Sequence, residues 1–414
     1  MKKRLLLAAA VILALALCVA AALFLYQPSH RNPLLPTQPF DAVLTREEAA
    51  HDLAFMRNAV AQYHPCYLDG SGRDAVFEAA YARAQAQLDA LEEITVGALW
   101  AIGAEMYCSL EDAHTMVTCR GSRRATNAAV LTEDVLSVGG IPRAELLSRF
   151  RRYYPCEPQV DFYPDVMLNT ALATEHWLRL LGVDTAQDIP VETASGTHWL
   201  TLDTPEPSAA QSAPFYRWYI DEARGAGVFV LDECTLTEGY QQALKDFFTE
   251  VAGKGIGRIA VDLRHNGGGN SQVIQAFMRY IDVDKYFIFG GSNVRMKNRL
   301  IVNEPVSERN RRLQPVFSGE VYVLTSHTTF SSAMLFAVTI ADNGIGQIIG
   351  ETPGNMPTAY GDVLSAQAPN SGLVCNMSHK RFFRPNREKD ALPLMPDVEV
   401  PAEDALSVFL NLGN

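Results

Sequence analysis

The chain has 414 residues, 48% of them hydrophobic and 20% charged, which is too apolar for a disordered tail and long enough for two to three domains of about 150 residues. Lys and Arg number 35 against 47 Asp and Glu, a formal charge of -12. That balance disfavours a general nucleic-acid binder, which needs basic surface to replace phosphate counterions, and leaves an enzyme or a large binding protein.

Lys2, Lys3 and Arg4 precede an uncharged apolar run, residues 5–26. A helix of that length crosses a hydrocarbon core of about 30 Å. It exceeds the apolar region of a cleavable signal, about 7–15 residues. A signal anchor at 1–26 is therefore expected, with cleavage after the small residues Ala20-Ala21-Ala22 as the alternative. Positive charge ahead of the span keeps the N-terminus in the cytoplasm. The expected location is the cell membrane, single-pass with the remainder extracytoplasmic, or secretion if the segment is cleaved. Outside that run lie Cys66, Cys108, Cys119, Cys156, Cys234 and Cys375. An even number in an exported region permits disulfides, and small buried thiols account for them equally well. Neither H-E-x-x-H nor C-x-x-C occurs, so no metal site is expected.

Residues 27–44 hold four prolines and read as a linker. A helical cap is expected over 45–120. It opens with Thr45 as N-cap and Glu48 three residues on, and continues through apolar spacing at 76–91 and 94–106. A mixed α/β region follows over 121–225, with a strand at 135–138, a Gly139-Gly140 turn, helices at 143–154 and 169–181, and a strand at 197–202. From 226 to 405, strands at 228–231, 256–263, 321–324 and 347–349 alternate with helices at 240–251, 271–280 and 331–341. That alternation predicts an α/β layer with a largely parallel sheet, whose ligands bind beyond the strands' carboxyl ends.

Two such loops carry candidate chemistry. The first, Asp262 to Asn270, contains Gly267-Gly268-Gly269. Without Cβ atoms its N–H groups can converge on an anion, as a phosphate cradle or an oxyanion hole, or the glycines can simply form a tight turn. The Walker and G-x-G-x-x-G patterns are absent, so no nucleotide cofactor is expected. The second, Thr325 to Met334, opens a helix at Ser331-Ser332. Serine there is usually a cap, but the site also suits a nucleophile, because helix-end amides stabilise developing negative charge. A serine nucleophile needs a base. His114, in Leu110-Glu111-Asp112-Ala113-His114-Thr115, and His327 are rivals for that role.

These segments resemble the serine peptidases that group the tail-specific (C-terminal-processing) proteases with the tricorn core protease. RIAVDLRHNGGG at 258–269 resembles their strand-plus-glycine motif. Residues 321–351, closing on Gly350-Glu351, resemble their nucleophile segment, and LPLMPDVEV at 392–400 resembles their P-D-[IV]-x-V ending. LEDAHT at 110–115 resembles the L-x-D-x-H-T motif of the tricorn-like branch. The resemblance implies Ser331 as nucleophile, with the Ser332 N–H and one from Gly267 or Gly268 as oxyanion hole. The tail-specific branch takes its base from a lysine in the loop after G-E, but residues 352–358 hold none, so the base falls on His114. The acidic member falls on Asp390, or on nearby Glu388. The implied fold is a ClpP/crotonase-like α/β core with an N-terminal helical cap. VLSVGG at 135–140 hints at a degenerate PDZ-like middle region. The implied activity is hydrolysis of peptides or unfolded proteins without metal or cofactor. A non-catalytic binding relative of this fold, or an esterase using the same serine, are the alternatives.

Overall fold

Thr45 accepts the N–H of Glu48 while the Glu48 carboxylate accepts the N–H of Thr45, so the expected capping box opens the first helix, Arg46–Tyr63. This computed structural model describes residues 34–131, 134–204 and 214–412. The expected anchor lies outside the described residues. Among those described, no helix is long and apolar enough to cross a membrane.

Two further helices, Arg73–Ala90 and Val96–Cys108, complete the cap. Its core does not close on itself. Leu53, Met56, Trp100 and Tyr107 pack with Tyr360, Leu373, Cys375 and Met377, which lie more than two hundred residues downstream. The middle region pairs Val135–Val138 with Ile141–Pro142 and Ile189–Thr193, and the latter with Gly196–Leu200. Against this sheet lie the helices Arg143–Phe150, Tyr163–Leu172 and Glu175–Leu180. The single helix expected at 169–181 is thus two, interrupted at Ala173-Thr174, and the first begins earlier, with Pro164 in its opening turn where no N–H is needed.

The expected parallel sheet has six strands in the order Val398–Glu399, Gly346–Gly350, Glu320–Thr325, Arg258–Asp262, Ala226–Leu231, Tyr216–Asp221. All run parallel except the last, an antiparallel edge. Alternate residues face opposite layers. Phe229, Ile259, Val261 and Val323 pack beneath Glu238–Gly253, Gln272–Met278 and Ser332–Asp342, whereas Val228, Ala260 and Leu324 meet Phe409 of Ala402–Leu410. Asp262 pairs with Leu324 and Leu324 with Ile349, so the loops after these strands emerge side by side.

A second sheet, antiparallel, was not expected. Val374–Phe382 pairs with Ala359–Gln367, with Ser292–Met296 and with the short strand Met116–Thr118. The last pairing joins the cap to the C-terminal half and brings the residues just before Met116 to the mouth of the parallel sheet. The six cysteines of the described residues are all free thiols, so no disulfide reinforces this arrangement.

Candidate active site

After Glu320–Thr325 the chain turns through residues 326–331 into the helix Ser332–Asp342. The turn is tied down on the side of the glycine loop. The Thr328 hydroxyl donates to the Arg264 carbonyl (2.8 Å), that of Thr329 to the Leu263 carbonyl (2.9 Å), and the Phe330 N–H to the Asn266 carbonyl (3.1 Å). Ser331 then adopts φ 53°, ψ -121°. Such a backbone costs a non-glycine residue about 1–3 kcal/mol and persists only where its surroundings enforce it. Here buried Asn355 enforces it by accepting the Ser331 N–H at 2.6 Å. The Ser331 hydroxyl makes no capping bond to its helix. That sets aside the ordinary role of serine at such a position and leaves the hydroxyl beside the unpaired amides of the helix start.

The glycine loop explains its own composition. The Asn266 carboxamide accepts the Gly268 N–H at 2.8 Å and donates to the Leu231 carbonyl at 2.9 Å. Gly268 has φ 104°, and a Cβ there would fall 2.7 Å from Ser331 Cβ, 2.9 Å from the Phe330 carbonyl oxygen and 3.0 Å from Ser332 N. A Cβ on Gly269 would lie 2.3 Å from the Cys234 carbonyl oxygen. The glycines are therefore where two backbones touch. Of the two expected oxyanion glycines, Gly268 already gives its amide to Asn266. That leaves the Gly267 N–H as the candidate to partner that of Ser332.

His114 arrives from the cap. Thr115 bonds to Ser378 through its hydroxyl, and Met116 pairs with Asn376, which places the imidazole 4.7 Å from the Phe330 ring. One cavity of about 670 Å³ is lined by His114, Ser331, Ser332 and Asn355, with Met334, Met356 and Phe382 among its apolar walls. Burial holds the imidazole below its usual pKa, against the pull of the Asp112 charge. Its neutral form is the one that can accept a proton.

The model of peptidase family S41 matches residues 227–400. These residues belong to peptidase family S41. The chain is accordingly a serine-type peptidase. No curated protein matches it in sequence. Among solved structures it is similar to mature CPAF, at 14% identity over 88% of this chain and 96% of that one, with a TM-score of 0.64. The complex of mature CPAF with lactacystin matches equally, at 0.64. A candidate peptidase from Parabacteroides merdae matches at 13% identity and 0.51 over 88% of this chain and 93% of that one. At such identities the likeness shows a shared fold.

Within the S41 segment the other motif residues act as braces. Asp262 holds Arg264 at 2.8 Å, the Glu351 carboxylate accepts the His327 N–H at 3.0 Å, and Asp397 accepts the Ile348 N–H at 2.8 Å. His327, the rival base, turns away from the cavity and is bonded through Nδ1 to the Thr352 carbonyl at 2.8 Å. Asp390 gives its carboxylate to the Thr358 hydroxyl and to Arg387, both at 2.6 Å, and not to His114. Glu388 lies exposed in the turn Arg387–Lys389 and does not line the cavity either.

The acids that do face His114 are ones the sequence reading did not single out. Asp112, two residues before it, stands 3.8 Å from Nδ1 and accepts the His114 N–H at 3.0 Å. Burial acts to raise its pKa, but the hydrogen bond from His64, the charges of His64 and His114, and the Thr115 hydroxyl outweigh burial and hold the carboxyl well below the usual range. Glu157, from the middle region, is the second. Asp112, His114 and Glu157 are also the only cluster of metal-ligating side chains found among the described residues, with ligand atoms within 4.8 Å of one another. A cation there would have to displace the bonds Asp112 already makes. The motif LEDAHT contained the signal for Asp112, whereas nothing local marked Glu157 or Asn355.

Proposed function

We propose that this S41 peptidase hydrolyses peptide bonds through an acyl-enzyme on Ser331, with His114 as general base. The observation that carries the reading is a strained, uncapped Ser331 and a largely enclosed His114 on the wall of one cavity, although 216 positions separate them in the chain. In the forward step Ser331 Oγ attacks the peptide carbonyl, and its proton passes to the ring nitrogen of His114 that faces the cavity. The Ser332 and Gly267 amides hold the negative oxygen that forms. That proton then goes to the leaving amine as the C–N bond breaks, and water repeats the cycle on the acyl-enzyme. His114 precedes the matched S41 segment, so the base is contributed by the cap.

In this reading Asp390 acts at a distance, bracing Thr358 at the end of the loop that carries Asn355. The apolar walls of the cavity suit peptide substrates with an apolar side chain at the scissile bond. The N-terminal segment would place the catalytic half outside the membrane. The core would be ClpP/crotonase-like, and the middle region a degenerate PDZ-like unit.

A fluorophosphonate probe tests the reading. Wild type is expected to be labelled at Ser331 and to cleave a peptide library, and both activities are expected to disappear in Ser331→Ala. An unlabelled wild type would refute an active serine. Cleavage of esters with every peptide left intact would replace peptidase with esterase.

A further inference from the structure

Glu157 is 6% exposed, and neither of its carboxylate oxygens makes a well-formed hydrogen bond, although its own N–H and that of Ala113 lie near. The Nδ1 atom of His114 is likewise buried and unpartnered. A ligand atom of each, together with one of Asp112, falls within 4.8 Å of the others. Buried polar atoms left unpaired cost about 1–3 kcal/mol each, and native structures keep few of them. Two such orphans side by side, one a carboxyl and one an imidazole nitrogen, are complementary. Asp112 does not fill the gap. It stands 3.8 Å from Nδ1, but its oxygens are already engaged by His64, Thr115 and the His114 amide, whereas Glu157 has no such engagement and closes on Nδ1 with a shift of about 1–2 Å.

Building on the peptidase reading, we propose that Glu157 is the positioning residue of His114: its carboxyl accepts the Nδ1–H bond and fixes the tautomer whose Nε2 takes the Ser331 proton. When that proton arrives, Nδ1–H stays on the ring and its bond to Glu157 strengthens as the imidazolium forms. Glu157 itself takes up no proton. The middle region is built to deliver it. Glu157 stands just before the turn Pro158–Val160 and its side chain makes no capping bond to it. Just beyond that turn, Tyr163 stacks on Phe330 with centroids 5.0 Å apart, and Phe162 lies 4.4 Å from His327. The same segment thus grips the nucleophile turn on both sides.

The groups that face Glu157 give the arrangement a pH signature. Burial, and then the Asp112 charge, push its carboxyl up to about 8, against its own backbone N–H, that of Ala113 and the charge of Arg73. Tyr163, Cys156 and His114 complete the titratable surroundings. Around pH 8 Glu157 becomes an anion, and an anion stabilises the imidazolium of the acylation step better than the neutral acid does.

The test follows the rate of fluorophosphonate labelling, with peptide turnover beside it, from about pH 5 to 10 in wild type, Glu157→Gln, Glu157→Asp and Ser331→Ala. Wild type is expected to show a rise in rate around pH 8. Glu157→Gln is expected to lack that rise, to label about tenfold or more slowly on its alkaline side, and to keep its KM. Glu157→Asp, which retains a carboxyl, is expected to keep the rise at a lower rate. Glu157→Gln labelling as fast as wild type with the same pH profile would overturn the proposal. If Glu157→Gln does not fold, loss of the rise in folded Glu157→Asp would do the same. An unlabelled wild type would instead point to failure of the peptidase reading.

Discussion

Replacing Gly268 with alanine is expected to silence the site while leaving most of the molecule intact. The added methyl would stand 2.7 Å from Ser331 Cβ, 2.9 Å from the Phe330 carbonyl oxygen and 3.0 Å from Ser332 N. Carbon contacts are comfortable at about 3.5–4.0 Å, so relief needs a shift of roughly 1 Å between the two loops. Two of the three atoms met are backbone, and the third belongs to the nucleophile, so no flexible side-chain end can yield instead. Overpacking of this kind costs about 1–3 kcal/mol, and an alanine at φ 104° adds about 1–3 kcal/mol of backbone strain. Against a typical stability of about 5–15 kcal/mol, the variant is expected to fold.

Its catalysis is affected more severely. A displacement of about 1 Å in a catalytic array lowers rates about a hundredfold, and loss of one oxyanion donor lowers them about 10²–10³-fold. The assay is peptide turnover and fluorophosphonate labelling, normalised to the folded fraction by circular dichroism. Gly140→Ala supplies the control. It lies in the middle-region turn with φ 76°, and a Cβ there meets nothing within 4 Å, so it reports strain alone. Gly140→Ala is expected to keep its activity per folded molecule. Folded Gly268→Ala with activity within about threefold of wild type would refute the argument that this glycine sets the spacing of the oxyanion site.

Two further outcomes follow from the same geometry. Asn355→Ala removes the acceptor of the Ser331 N–H, leaving a part-buried amide unpaired and the strained turn unsupported; kcat is expected to fall about tenfold to a hundredfold with KM little changed, as steady-state kinetics would show. The acid limb of kcat/KM is expected below the usual histidine value of about 6.5, because burial disfavours the imidazolium and keeps His114 a competent base to lower pH. A limb displaced above that value would show that burial does not govern this base.

Much of the catalytic core was legible in the sequence because its signals are local. Glycines must stand where backbones touch. A buried parallel strand such as Ala226–Leu231 reads as an apolar run, and Thr45 with Glu48 declares a helix start within four residues. What escaped was non-local. The strands Ala359–Gln367 and Val374–Phe382 mix Gly, Asp, Ser, Asn and Lys with apolar residues, and neither alternates cleanly in burial, so no periodicity marked them. Yet this sheet is what carries Met116–Thr118, and His114 with it, to the active site. The acids beside the imidazole were equally hidden. The resemblance points to Asp390, which bonds to Thr358, whereas the carboxyls near the imidazole come from the cap and from the middle region.

The placement of those two carboxyls bears on what a domain means in this chain. Asp112 is saturated by neighbours in and beside the cap, His64, Thr115 and the His114 amide, so it remains ionised wherever the cap is folded. Glu157 has near it only its own N–H and that of Ala113, neither in a well-formed bond. It holds its proton to about 8, and the imidazole beside it is the natural partner for its carboxyl. A fully satisfied acid stabilises a structure but responds little to events at the nucleophile; an unsatisfied one gains most when the imidazole becomes charged. Tyr163, six residues on, stacks on Phe330, so the segment that carries Glu157 is tied to the turn that carries Ser331. Boundaries at 120 and 225 would therefore separate folding patterns, whereas the proposed catalytic unit runs from the cap, through the middle region, to Ser331.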